Sequence, residues 1–127
     1  MSARVFVASL PTRFDAATKE HVPSLDLNPA TDHGELVIIT RGPQATGDEL
    51  DEAIDLVDAT VGALSHNHYR FEQGDSILMV GDPILNGIAI AAALDVGQGD
   101  HPNDHKPVAV LRWDRRNHKY DRVIIPG

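Results

Sequence analysis

The stretch from Ser76 to Leu94 constrains this chain most, because its residues permit one order of local structure. Ile77-Leu-Met-Val80 is a continuous apolar run, long enough for a strand covered on both faces and too short for a helix. Gly81 allows a tight turn. Asp82 fits a helix N-cap, and Pro83 fits the first helical position, where a missing N–H costs nothing. From Pro83 to Leu94 the residues are apolar all round except Asn86, so the helix is expected to be buried, its alanines packing close to a sheet. A polar loop over 97–107 leads to another strand, from Pro107 to Trp113. Strand, helix and strand make a βαβ unit, whose crossover is expected to be right-handed.

The remaining elements can be placed around this unit. Arg4 to Leu10 reads as a strand, with Val5, Val7 and Ser9 facing one way and Phe6 and Ala8 the other. Residues 11–34 are open to two readings. One is an antiparallel return through the polar turn at Ala16–Glu20, with Pro23 confining it to an edge. The other is a long irregular loop of the kind that often carries function. Asn28 to His33 fits a single helical turn closed by Gly34. Glu35 to Thr40 is apolar and β-branched, a strand covered on both faces. Thr46-Gly-Asp-Glu49 has the form of a capping box. Beyond it, Leu50, Ala53, Ile54, Val57, Val61 and Leu64 form one apolar stripe, predicting a helix over about Asp48–Leu64. After the turn Asp114–Lys119, Tyr120 to Ile125 returns as the last strand, setting Trp113 across from Tyr120.

These elements predict an α/β fold: a mixed, mostly parallel sheet of about five strands, two main helices and a C-terminal β-hairpin. At 127 residues the chain is expected to form one domain with a core that needs no staples. There is no cysteine, which excludes disulfides and thiolate chemistry. No apolar run reaches the length of a spanning helix, and the first residues carry no signal-peptide pattern, so a soluble cytoplasmic protein without membrane contact is expected.

Charge supplies the sharpest functional clue. The net charge is −8, and 14 of the 19 acids are aspartates. Over Asp48–Asp58 the helix sets Asp51, Glu52, Asp55 and Asp58 opposite its apolar stripe with no base among them. Such a face is either simply solvated or a contact surface for a basic partner. From Arg112 to Arg122 the balance inverts. Arg112, Arg115, Arg116, Lys119 and Arg122 outnumber two acids, giving +3 and leaving −11 elsewhere. This hairpin reads as a soluble edge device, as a nucleic-acid contact with Trp113 and Tyr120 for stacking, or as a surface that meets the acidic helix of a neighbouring copy. The overall acidity argues against bulk nucleic-acid binding.

Chemistry is harder to find. If the strands run parallel, Ser9, Thr40, Arg41, Asp82 and Asp114 lie along one edge, where ligands of open α/β sheets bind. A small enzyme or a nucleotide or metal binder at Asp82 is one reading of that edge. Against it, Val80-Gly-Asp-Pro-Ile84 has a single glycine, loses an N–H at Pro83 and places a carboxylate where an anion would sit, and no second close carboxylate is evident. Asp82 as a structural cap fits the same residues. His66 and His68, and His101 and His105 beside Asp100 and Asp104, are too few or too loop-bound to form a metal site. No catalytic set, cofactor or metal is assigned, and an enzyme is disfavoured.

Several segments carry a resemblance. Val5-Phe-Val-Ala-Ser-Leu-Pro-Thr-Arg-Phe-Asp15, Asp26-Leu-Asn-Pro-Ala30 with Gly34-Glu-Leu-Val37, Leu78-Met-Val-Gly-Asp-Pro83 with an alanine-rich helix, and Val110-Leu-Arg-Trp-Asp-Arg-Arg116 are together similar to small uncharacterised α/β proteins encoded by tailed bacteriophages. The resemblance covers most of the chain. It implies a viral origin, hence the host cytoplasm, and carries no catalytic residues. The residues then point to an accessory protein acting by protein–protein contact, through a partner or self-association as a homo-oligomer, with Asp51, Asp55, Asp58, Arg112, Arg115, Arg116, Lys119 and Arg122 as contact residues. Nucleic-acid binding by the hairpin, and a ligand site at Ser9, Arg41, Asp82 and Asp114, remain as alternatives.

Overall fold

A computed structural model describes residues 3–42, 47–62, 71–72, 74–97 and 107–126. The four histidines considered above (66, 68, 101 and 105), Thr46 and Leu64 lie outside them. In order, the elements are β1 (Arg4–Leu10), β2 (Thr12–Asp15), β3 (Glu20–Pro23), a 3-10 helix (Asn28–His33), β4 (Glu35–Arg41), α1 (Gly47–Val61), β5 (Ser76–Leu78), α2 (Pro83–Gly97), β6 (Val108–Asp114) and β7 (Lys119–Ile125). The main sheet has the order β4-β1-β5-β6-β7. Its first four strands are parallel, and β7 closes it antiparallel to β6.

Alternation along β1 supplies both faces of the core. Phe6 and Ala8 pack with Ile77, Val110, Phe71 and the inner sides of α1 and α2. Val5 and Val7 pack on the other side with Leu78, Leu111, Tyr120 and Ala30 of the 3-10 helix. The chain thus moves from β1 to β4 in one direction beneath the sheet, then through β5 to β6 in the opposite direction above it. Opposite directions on opposite faces give all three crossovers one hand, as the preference for right-handed connections requires. The direction reverses between β1 and β5.

The registers place Val37, Phe6, Ile77, Val110 and Val123 in one row across all five strands. The middle three are buried, while Val123 at the β7 edge is 42% exposed. At the amino ends of the strands, Arg4 is bound to Asp75 at 2.7 Å. The Asp75 carboxylate also accepts the backbone N–H groups of Arg4 at 2.9 Å and Glu72 at 2.8 Å. The Arg4 guanidinium lies over the Phe6 ring, 5.1 Å from its centroid.

One open reading is resolved and two local expectations are corrected. Of the two readings of residues 11–34, the antiparallel return holds: β2 and β3 pair from Thr12↔Pro23 to Asp15↔Glu20, followed by the 3-10 helix. Pro23 sits at the end of this two-stranded arm, where its missing N–H is harmless. The strand expected through Val80 ends at Leu78, because the Val80 N–H turns back onto the Leu78 carbonyl at 3.0 Å. Helix α2 is not buried all round. Leu85, Ala89, Ala92 and Ala93 face inward, whereas Ile84 is 52% exposed. One helical layer covers this face, so α2 rests on the sheet and on α1 and presents its third side outward.

Candidate functional site

The carboxyl edge of the sheet gathers the residues that the sequence singled out. Arg41 ends β4, Ser9 lies next to the end of β1, Asp82 follows β5, and Asp114 ends β6. With neighbouring strands about 4.8 Å apart, Arg41 and Asp114 are separated by roughly 14 Å along this edge. They form a row and not a cluster, and the carboxylates of Asp82 and Asp114 are each engaged by the backbone that follows them. Asp82 accepts the backbone N–H of Ile84 at 2.8 Å, capping α2. Asn86 is buried in the first turn of α2 and donates to the Val80 carbonyl at 2.9 Å, tying strand to helix. Ser9 is buried beneath Gly81. The Thr40 hydroxyl is buried and donates to the Ala8 carbonyl at 2.6 Å. Arg41 is exposed and lines a concavity of about 350 Å³ with Thr12, His21, Pro23 and Gly42.

Asp114 organises the β6–β7 tip. It accepts from the Asn117 side chain at 2.7 Å and from the Arg116 N–H at 2.9 Å. The Asn117 hydrogen bond is the largest cause holding its carboxyl below the ordinary 3.8. Lys119 pairs with Asp114 across the strands, leaving a four-residue loop closed by His118 at φ 51°. Trp113, 39% exposed, meets Tyr120 edge to face at 5.0 Å as the sequence predicted. Burial, and then the Asp26 charge, push the Tyr120 phenol above its usual value of 10.0.

The β2–β3 arm repeats this construction. Asp15 accepts the Ala17 N–H at 3.0 Å, pairs with Glu20, and starts a four-residue loop closed by Lys19 at φ 58°. Phe14, 59% exposed, meets His21 edge to face at 5.6 Å, as Trp113 meets Tyr120. Both tips rise beyond the carboxyl ends of parallel strands. The sequence carried this signal: an aromatic–Asp pair, four loop residues, then a charged residue and an aromatic, at Phe14–His21 and at Trp113–Tyr120.

Charge is divided between the two outer edges. Asp51, Asp55 and Asp58 are exposed on α1, which lies over β4. One helical row away, Glu49 and Glu52 flank an apolar groove between α1 and β4, lined also by Ile39, Thr40, Ala53 and Leu56. Past Leu56 the groove meets a more polar concavity of about 370 Å³ along Leu36, Val37, Ile38 and Thr60 that reaches Arg4 and Glu35. Leu56 is 47% exposed. Its place outside the apolar stripe, among the acids, was the sequence signal for this groove. At the opposite edge, Arg112, Trp113, Asp114, Arg115, Arg116, Asp121 and Val123 line a concavity of about 480 Å³. Lys119 and Arg122 are exposed on β7 beside it.

Among the described residues, no group of three or more His, Asp or Glu is placed to hold a metal ion, and no helix is long and apolar enough to cross a membrane. No curated protein and no solved structure matches the chain. A family model does: the one described as Phage Pam3 gp32-like protein matches residues 3–126, a span that holds the whole sheet, both helices and both aromatic-tipped hairpins, and the chain belongs to that family.

Proposed function

We propose that the protein is a phage accessory protein that acts by binding other protein chains, with α1 and the β6–β7 hairpin as its contact elements. One observation carries this reading. Opposite charges sit on opposite edges of one rigid sheet, each beside exposed apolar side chains: Leu56 among the acids, Trp113 and Val123 among the bases. Charge of one sign around exposed apolar surface suits a partner of the other sign, since the charges steer encounter and the apolar groups hold the complex. Asp51, Asp55, Asp58, Arg112, Arg115, Arg116, Lys119 and Arg122 are the proposed contact residues. The test is a photoreactive amino acid at position 55 or 113 of the full chain, expressed in infected host cells. Protein adducts at both positions, with those at 113 lost on R115E/R116E, support the reading. Adducts to nucleic acid alone, or none, overturn it.

Nucleic-acid binding by the hairpin has its own support. Trp113 is half-exposed, held by Tyr120 and bordered by Arg115 and Arg116, a combination suited to stacking a base above phosphate contacts. As the sole tryptophan, Trp113 reports directly. Quenching by a single-stranded oligonucleotide that weakens steeply with salt would support this second reading, and unchanged emission would remove it.

A further inference from the structure

We propose that one occupant of these two edges is a second copy of this chain, joined head to tail, with β7 of one copy added to β4 of the next. The inference rests on the protein-contact reading of the same elements and names the partner.

Both β4 and β7 lie at the outer edges of the five-stranded sheet, with no further described strand beyond either. Charge blunts them only in part: β4 is charged only at its ends, Glu35 and Arg41, and β7 carries Lys119, Asp121 and Arg122 but finishes in the uncharged run Val123-Ile-Ile125. Glu35–Arg41 has no proline or lysine, and its four central residues are half-buried aliphatics. In Lys119–Ile125, Val123 and Ile124 are 42% and 51% exposed. Exposed apolar edges of this length are templates for pairing with another chain.

Strand direction, row and charge then select the pairing. β7 runs antiparallel to the other four strands. A copy placed beside the first in the same orientation therefore brings β7 against the next β4 as an antiparallel pair, with like faces of the sheet aligned. At the unshifted register, Val123 meets Val37 of the next copy, and the row Val37-Phe6-Ile77-Val110-Val123 continues from sheet to sheet. Ile124 meets Leu36 in the row Leu36-Val5-Ser76-Ala109-Ile124 on the opposite face. The charges match at the same level. Ile39 stands beside Glu49 and Glu52, and two positions beyond the Val37 row; Arg112 stands two positions beyond Val110 in that row and lines the basic concavity. α1 covers the same face as Phe6 and Val110. Head-to-tail addition thus sets Glu49 and Glu52 of one copy near Arg112, Arg115 and Arg116 of its neighbour, and Leu56 near Val123.

The symmetric alternatives lack this match. Pairing β4 with β4 brings two acidic helices together, and pairing β7 with β7 brings two arginine-rich tips together. A heterologous contact leaves one free edge at each end, so it propagates into an open chain or closes into a ring.

The test uses the full chain, with mass followed by sedimentation velocity as concentration is raised. The wild type is expected to grow beyond a dimer. L56R blocks the acidic groove and V123E blocks the β7 edge, each leaving the other edge intact. Each variant alone is expected to remain monomeric, and an equimolar mixture to form a 1:1 dimer that grows no further. Because Val123 touches the sheet, E52R and R115E/R116E at exposed positions form a second pair: each alone is expected to remain monomeric, and mixing is expected to restore growth beyond a dimer, since both contacts between unlike copies are then of opposite charge. A wild type that stays monomeric at high concentration overturns self-assembly while leaving adducts to other proteins intact. Assembly abolished by L56R but untouched by V123E and R115E/R116E, or the reverse, shows a symmetric interface and overturns the head-to-tail one.

Discussion

Gly81 lies directly against Ser9. A Cβ built on Gly81 would stand 2.1 Å from the Ser9 carbonyl oxygen and 2.8 Å from its hydroxyl, and Gly81 has φ +77°. The contact lies between β1 and β5, where the direction of the chain across the sheet reverses and where ligand crevices of such sheets open. Here backbone fills that place. Gly81→Ala should cost about 3 kcal/mol or more, adding left-handed strain of roughly 1–2 kcal/mol to a backbone overlap that cannot relax cheaply. Urea unfolding measures it. A loss below about 1 kcal/mol would show that the turn can move away from Ser9.

Asp75 is 3% exposed and Arg4 15%, 71 residues apart in the chain. Removing one member of such a pair leaves a buried charge and two backbone N–H groups without their acceptor. Asp75→Ala is expected to destabilise by about 3–5 kcal/mol, whereas exposed pairs are worth at most about 1 kcal/mol. Chemical denaturation of Asp75→Ala beside Asp121→Ala, an exposed acid on β7, gives the comparison.

Trp113 and Tyr120 should couple. Edge-to-face aromatic pairs contribute about 0.5–1.5 kcal/mol beyond area burial. A double-mutant cycle with Trp113→Leu and Tyr120→Leu should return a coupling in that range, and a value near zero would show that the two rings are neighbours without mutual stabilisation.

The tip of the β6–β7 hairpin should loosen in acid. The Asp114 carboxyl is held below its ordinary 3.8 by the Asn117 side chain first, opposed by some desolvation, and further lowered by the Arg116 and Asn117 N–H groups and by Lys119. A depressed folded-state value means its stabilisation is present above the unfolded value and is lost as pH falls below about 3.8 through the lower folded value. Carboxyl resonances followed by NMR should show Asp114 titrating at a lower pH than free aspartate, and Asn117→Ala should move it upward. No movement on Asn117→Ala would remove that cause.

The sequence was most informative where the physics is local. A continuous apolar run at Ile77, the helical spacing of Leu50 to Val61, the Asp82-Pro83 start of α2 and the cross-strand Trp113–Tyr120 pair all depend on near neighbours. Exposure of Asp51, Asp55, Asp58 and the hairpin bases followed from charge in the same way. Strand β5 ended early in a turn at Val80 that the apolar run does not announce, and Gly81 beyond it packs on Ser9, a contact made far along the chain. α2 was apolar enough to suggest burial on every side, but the number of layers over it is a property of the whole assembly of elements.

Composition and periodicity alone determined the α/β class, the position of the two helices, the closing hairpin and the opposite charge of two segments. Tertiary structure decided that those segments occupy opposite edges of one sheet, that Phe14 repeats the setting of Trp113 on a second hairpin at the same end, and that Arg4 finds Asp75. Local propensity depends on steric and hydrogen-bonding preferences within a few residues. Lateral strand order depends on which distant strands bury the most surface together while their crossovers keep one hand, and that selection is made only when the whole chain packs.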